Sequence, residues 1–157
     1  MAQINSVVIS NLILAASIMV GAHVTSITQG RYDNLKKWVG KHPTFDRSVG
    51  AFFDDPKIKS TLKSLLKKGD FVFLTKSRTK EAPVRMIDDY LQVYVCGSSE
   101  GIGCDRNTLL VINLVDESVH VAFDIYSDSP RTFSTRGKFS DLPKKVQFPS
   151  AGIGAQK

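Results

Sequence analysis

Charge is missing from the start of this chain, and cysteine is scarce throughout it. The first 26 residues, MAQINSVVISNLILAASIMVGAHVTS, hold no Lys, Arg, Asp or Glu, and the whole chain of 157 residues has two cysteines. The apolar run over residues 7–22 is broken by Ser10, Asn11, Ser17 and Gly21, so it falls short of the roughly 20 apolar residues of a membrane span. A signal peptide over residues 1–26 fits better, with small residues at Val20, Gly21 and Ala22 or at Val24, Thr25 and Ser26 for a peptidase to read, although only the terminal amine stands in for a basic leader region. An uncleaved anchor and a buried N-terminal helix are the competing readings. The expected location of the mature protein is periplasmic or secreted.

Other absences remove classes of function. No glycine-rich phosphate loop followed by Lys and Ser or Thr is present, and the Gly-Ile-Gly of residues 101–103 leads into Cys104 rather than into a helix. Two cysteines separated by seven residues supply half a zinc ligand set, and the spacing is not that of a redox pair. The three histidines, His23, His42 and His120, form no pairing signature. No repeat or low-complexity block interrupts the chain, and its basic residues are dispersed without an aromatic-rich motif, which argues against nucleic acid. Metal, cofactor and catalytic residues are accordingly not expected, and the chain is read as a non-enzyme. The rival enzymatic reading is a small hydrolase using a pair of the turn carboxylates Glu100, Asp105, Asp116, Glu117, Asp124 and Asp128.

What is present is one domain's worth of ordinary globular sequence, 42% hydrophobic and 23% charged, with a net charge of +6 that steers association toward anionic partners. Tyr32, Leu35, Trp38 and Val39 have helical spacing, and Thr44 can cap a second helical stretch through Phe45, Val49, Phe52 and Phe53. Asp55 and Pro56 open a third helix with Ile58, Leu62, Leu65 and Leu66 as its stripe and Gly69 as its terminal cap. Its wet face carries Lys57, Lys59, Lys63 and Lys67. From residue 71 the pattern predicts strands over 71–78, 84–88, 90–96, 107–115, 119–126 and 131–139, joined by short turns. Alternation puts His120 opposite Val119 and Val121, on an exposed face. The expected fold class is α+β: an antiparallel meander of four or five strands, covered on one face by the N-terminal helices, over residues 27–142, with a loose tail over 143–157.

The segment YVCGSSEGIGCDRN, residues 94–107, holds both cysteines. In an oxidising compartment such a pair closes into a disulfide. The loop it encloses is about nine residues, for which chain entropy gives about 2.5 kcal/mol, so the bridge serves chiefly to fix a loop's shape. The candidate partner-binding residues are Ser98, Ser99, Glu100 and Ile102, with Gly97, Gly101 and Gly103 allowing the turn.

The order of parts, with VRMIDDYLQVYVC, a loop closed by a second cysteine, then NTLLVINLVDESVHVAFDI, resembles the inhibitor of vertebrate lysozyme (Ivy) family over roughly residues 45–127. The resemblance implies a secreted periplasmic protein whose protruding, disulfide-closed loop plugs a lysozyme active site. The family's loop commonly reads Cys-Lys-Pro-His-Asp-Cys; here seven residues, GSSEGIG, separate the cysteines, and histidine, proline and lysine are absent. Vertebrate lysozymes are also strongly basic, which opposes a +6 protein. The expected partner is therefore a muramidase or other cell-wall hydrolase with an acidic surface or a different cleft, and the expected role is that of an inhibitor or immunity protein. The alternative is a basic envelope-associated structural protein using its lysine face on anionic polymer or lipid.

Overall fold

The computed structural model describes residues 30–44, 46–76, 78–98 and 103–149. The expected leader over 1–26 and the loop residues Ser99, Glu100 and Ile102 lie outside the described residues. The fold class is α+β, built on an open antiparallel sheet of six strands.

The chain enters through a 3-10 helix, Asp33–Trp38. Tyr32, Leu35 and Trp38 recur every three residues, the period of a 3-10 helix rather than of an α-helix, and all three are buried. Val39, which an α-helical period would place with them, is 41% exposed. Among the described residues, the stretch expected to be helical after Thr44 is helical at Phe52–Asp54 alone, where Phe52 packs edge-on against Trp38 with ring centroids 5.7 Å apart.

Helix α1, Pro56–Leu65, begins as its sequence dictates. The Asp55 carboxylate accepts from the backbone N–H groups of Lys57 and Ile58 at 3.0 and 3.3 Å, and Ile58 and Leu62 are fully buried. Gly69 does not cap α1 but sits in the first turn of α2, Lys68–Lys76. The strand expected over 71–78 is thus helix for most of its length. Its aromatic and β-branched residues favour a strand intrinsically, but Phe73 and Leu74 are buried in the core between the helices and the sheet while Val72 is 38% exposed, and that packing selects the helix. Thr75 donates to the Phe71 carbonyl at 2.8 Å, the back-bond of a helical threonine.

The strands are β1 (Arg78–Glu81), β2 (Arg85–Ile87), β3 (Tyr90–Gly97), β4 (Arg106–Asn113), β5 (Val119–Phe123) and β6 (Arg131–Ser134). They pair antiparallel in the order β1-β3-β4-β5-β6, and β2 pairs with the start of β3 while β1 pairs with its end. Asp88 and Glu117 take left-handed backbone angles, φ 51° and 60°, in the tight turns that join β2 to β3 and β4 to β5.

Both faces of this sheet are covered, not one. Leu91, Val93, Val95, Leu110, Ile112, Val121 and Phe123 pack with Trp38, Phe52, Ile58, Leu62 and Leu74 of the helical layer. On the opposite face Tyr94, Leu109, Val111 and Ala122 lie with Phe139, Leu142 and Val146. Phe139 comes from a 3-10 turn, Phe139–Asp141, which Leu142 follows, and Val146 from a short helix α3, Lys144–Gln147, inside the stretch 143–157 expected to be a loose tail; Val146 is wholly buried, and the tail beyond 149 lies outside the described residues. Gln92 of β3 fixes this cover by donating to the carbonyls of Val146 and Phe148, each at 3.1 Å. Each fully buried Leu or Ile of the two layers contributes about 2 kcal/mol relative to exposure.

Candidate functional site: the root of the disulfide loop

Strands β3 and β4 pair without a break from Tyr90 opposite Asn113 to Gly97 opposite Arg106. Their connection therefore leaves from one end of the sheet, the same end at which β5 finishes and β6 begins, since Phe123 faces Arg131. Cys96 and Cys104 are joined in a disulfide with their Cα atoms 5.4 Å apart, and Cys96 is fully buried in the face covered by Phe139 and Leu142.

The loop's root is held by more than the bridge. The Asp105 N–H donates to the Gly97 carbonyl at 3.0 Å, continuing the β3–β4 ladder past Arg106. The Ser98 hydroxyl donates to Asp105 Oδ2 at 2.5 Å. From the neighbouring strand the Thr79 hydroxyl bonds the Gly103 carbonyl and lies 3.3 Å from the Cys96 carbonyl. Gly103 has φ +85°, a conformation that a side chain there would strain. Ser98 is 2% exposed, so its hydroxyl is engaged inside the protein. It belongs to the root, whereas the candidate residues Ser99, Glu100 and Ile102 lie outside the described residues.

Two residues before Cys96 in β3, the Tyr94 hydroxyl donates to Asn107 Oδ1, and burial pushes its pKa up to about 12, with Tyr126 adding to the effect. On the other face Arg106 lays its guanidinium 4.5 Å from the Phe73 ring centre and 5.8 Å from that of Phe123, with Asp124 3.7 Å away. Neither arrangement carries a sequence signal, because the contacts join residues from separate elements.

The remaining chemistry-bearing residues are placed as follows. His120 is buried at 3% exposure, not on an open face, because the C-terminal segment covers the side of β5 that alternation assigns to it. Its Nε2 lies 2.9 Å from the Ser118 hydroxyl and its Nδ1 2.8 Å from that of Ser134, and burial lowers its pKa against the opposing charges of Asp116 and Asp141. Asp116 accepts from the Ser118 N–H within its own turn, Glu117 accepts from the Arg31 N–H at 2.6 Å, and Asp124 faces Arg106. His42 lies 3.5 Å from Glu81, whose pKa burial raises. Of the lysine row, Lys57 donates to the Arg31 carbonyl at 2.8 Å, Lys59 pairs with Asp54 at 3.3 Å, and Lys63 lies over the Phe71 ring. Among the described residues no group of three His, Cys, Asp or Glu side chains could hold a metal ion, and no helix is long and apolar enough to cross a membrane. Set against known proteins, the chain matches no family model, no curated protein and no solved structure.

Proposed function

We propose that this protein is an exported, non-enzymatic inhibitor or immunity protein that inserts the loop between Cys96 and Cys104 into the cleft of a peptidoglycan-cleaving enzyme. One observation carries the reading: the two ends of the loop are footed on a fully buried cysteine, a disulfide and bonds from Thr79, Ser98 and Asp105, so the root is held in one place at one end of the sheet. Fixing a loop's two ends removes part of the entropic cost of ordering it on association. The tip residues supply what a glycosidase cleft can engage. Ser99 brings a hydroxyl, Ile102 an apolar side chain, and Glu100 the only ionisable group between the cysteines. Muramidase clefts place two carboxyl groups across the scissile bond, one of them protonated as general acid, and that acid can donate to Glu100. The oxidised cysteine pair also suits a periplasmic or secreted setting.

The test replaces GSSEGIG by a neutral linker of equal length and measures muramidase inhibition across acidic and basic enzymes. Inhibition by the native protein that is lost in the replacement is the expected result; inhibition unchanged by the replacement, or none with either protein, overturns the reading. The envelope-structural alternative makes a different prediction: binding to purified envelopes that falls steeply with salt and ignores the loop replacement.

A further inference from the structure

Beside the loop root lies an open depression lined by Lys67, Lys68, Val72, Phe73 and Arg106. It is tied to the loop by strand register, because Arg106 pairs directly with Gly97, the last residue of β3 before the tip. Its charges are unevenly matched. Asp70, the acid on this rim, is held by both terminal nitrogens of Arg131 at 3.0 and 3.4 Å. Lys67 and Lys68 are exposed and make no ion pair among the described residues. Arg106 is the third cation, and its guanidinium lies over Phe73 and Phe123 with one acid among the described residues, Asp124, at 3.7 Å.

That arrangement has the character of an interface anchor. A guanidinium already fixed on aromatic rings loses little freedom when it takes a carboxylate, and Arg is enriched among the residues that dominate binding energy. Val72, 38% exposed next to the buried Phe73, supplies an apolar patch between the cations. The outer lysines of α1 differ, since Lys57 and Lys59 already have partners. We infer that the partner-binding surface continues from the disulfide loop onto this rim, and that its occupant is an acidic protein surface presenting carboxylates around an apolar side chain. The inference rests on the loop-insertion reading: a loop entering a cleft brings the cleft's lip against the surface beside the loop's root.

The experiment uses the full mature protein and a capped peptide of sequence Glu-Glu-Leu-Glu-Glu as probe, followed by amide chemical shifts at low and moderate salt. Shifts concentrated at residues 67–73 and 106 are expected. Binding should weaken roughly tenfold in Lys67→Glu/Lys68→Glu, as for loss of about 1.4 kcal/mol, and change less than about twofold in Lys57→Glu/Lys59→Glu. Absent shifts, or equal effects of the two double variants, overturn the proposal. Sedimentation with phosphatidylglycerol vesicles that depends on Lys67 and Lys68, without peptide binding, assigns the rim to lipid and overturns it as well. The loop replacement separates the two ideas. If muramidase inhibition never depended on the tip, the insertion reading fails and takes with it the continuity of loop and rim, even where the rim still binds the peptide; if inhibition depends on the tip but the peptide does not bind the rim, the rim fails alone.

Discussion

The hydroxyl of Ser98 sits 2.5 Å from Oδ2 of Asp105, closing the mouth of the loop seven residues apart in sequence, just outside the Gly97–Arg106 pair that ends the β3–β4 ladder. Ser98→Ala removes this charge-assisted bond and should lower stability by about 1 kcal/mol, read as a shift of the denaturant midpoint at constant slope. Amide exchange at residues 97 and 105 should quicken while that of β4 and β5 stays slow. Uniform acceleration across the sheet would mean that the bond supports the whole fold and not the loop root.

The disulfide closes a short loop between strands that are already paired. Cys96→Ala/Cys104→Ala should therefore cost at most about 2.5 kcal/mol and leave the circular dichroism of the folded state unchanged. A larger loss, or a protein that does not fold, would show that the bridge is needed for the sheet itself.

His120 gives the protein a pH signature whose sign follows from its lowered pKa. The folded state favours the neutral imidazole between Ser118 and Ser134 because burial disfavours its charge, while in the unfolded chain it protonates near pH 6.5. Its contribution is complete above pH 6.5 and is lost as pH falls from there through the lowered folded value. Glu81, whose pKa is raised above 4.5, acts in the opposite direction, losing stability as pH rises from 4.5 toward its folded value. Unfolding free energies of the native protein and of His120→Asn across this range isolate the histidine: the native slope around pH 6 should flatten in the variant.

Asp55 accepts from two backbone N–H groups at the start of α1. Asp55→Ala should cost about 1 kcal/mol, and Asp55→Ser much less, because a serine hydroxyl can take over the cap. Equal losses in the two variants would place the role of Asp55 elsewhere, for instance in its 2.9 Å bond from Asn34.

The strands from β2 to β5 and the start of α1 are legible in the sequence because their signals are local: alternation, an acidic cap before proline, and acids in tight turns. The misread elements are those decided by distant partners. Residues 71–74 read Phe-Val-Phe-Leu, as good in a strand as in a helix, and only packing against the sheet selects the helix. The 3-10 period of Tyr32, Leu35 and Trp38 differs from an α-helical one by a single residue's placement, that of Val39. Phe139, Leu142 and Val146 do carry an i, i+3, i+7 spacing, but Pro143 interrupts it, so the second cover of the sheet, and with it the burial of His120, goes unannounced. At the loop, the cysteines and glycines are visible in sequence, whereas Thr79 reaches it from a strand 24 residues earlier than Gly103.

The footing of the loop, as far as the described residues go, is built from backbone carbonyls, a bridge and side chains outside residues 99–102. Substitutions confined to residues 99–102 therefore leave the partners of every described root contact unchanged. The sheet and the root act in that sense as a handle, and a library randomised at residues 99–102 varies what the handle carries while keeping the handle itself.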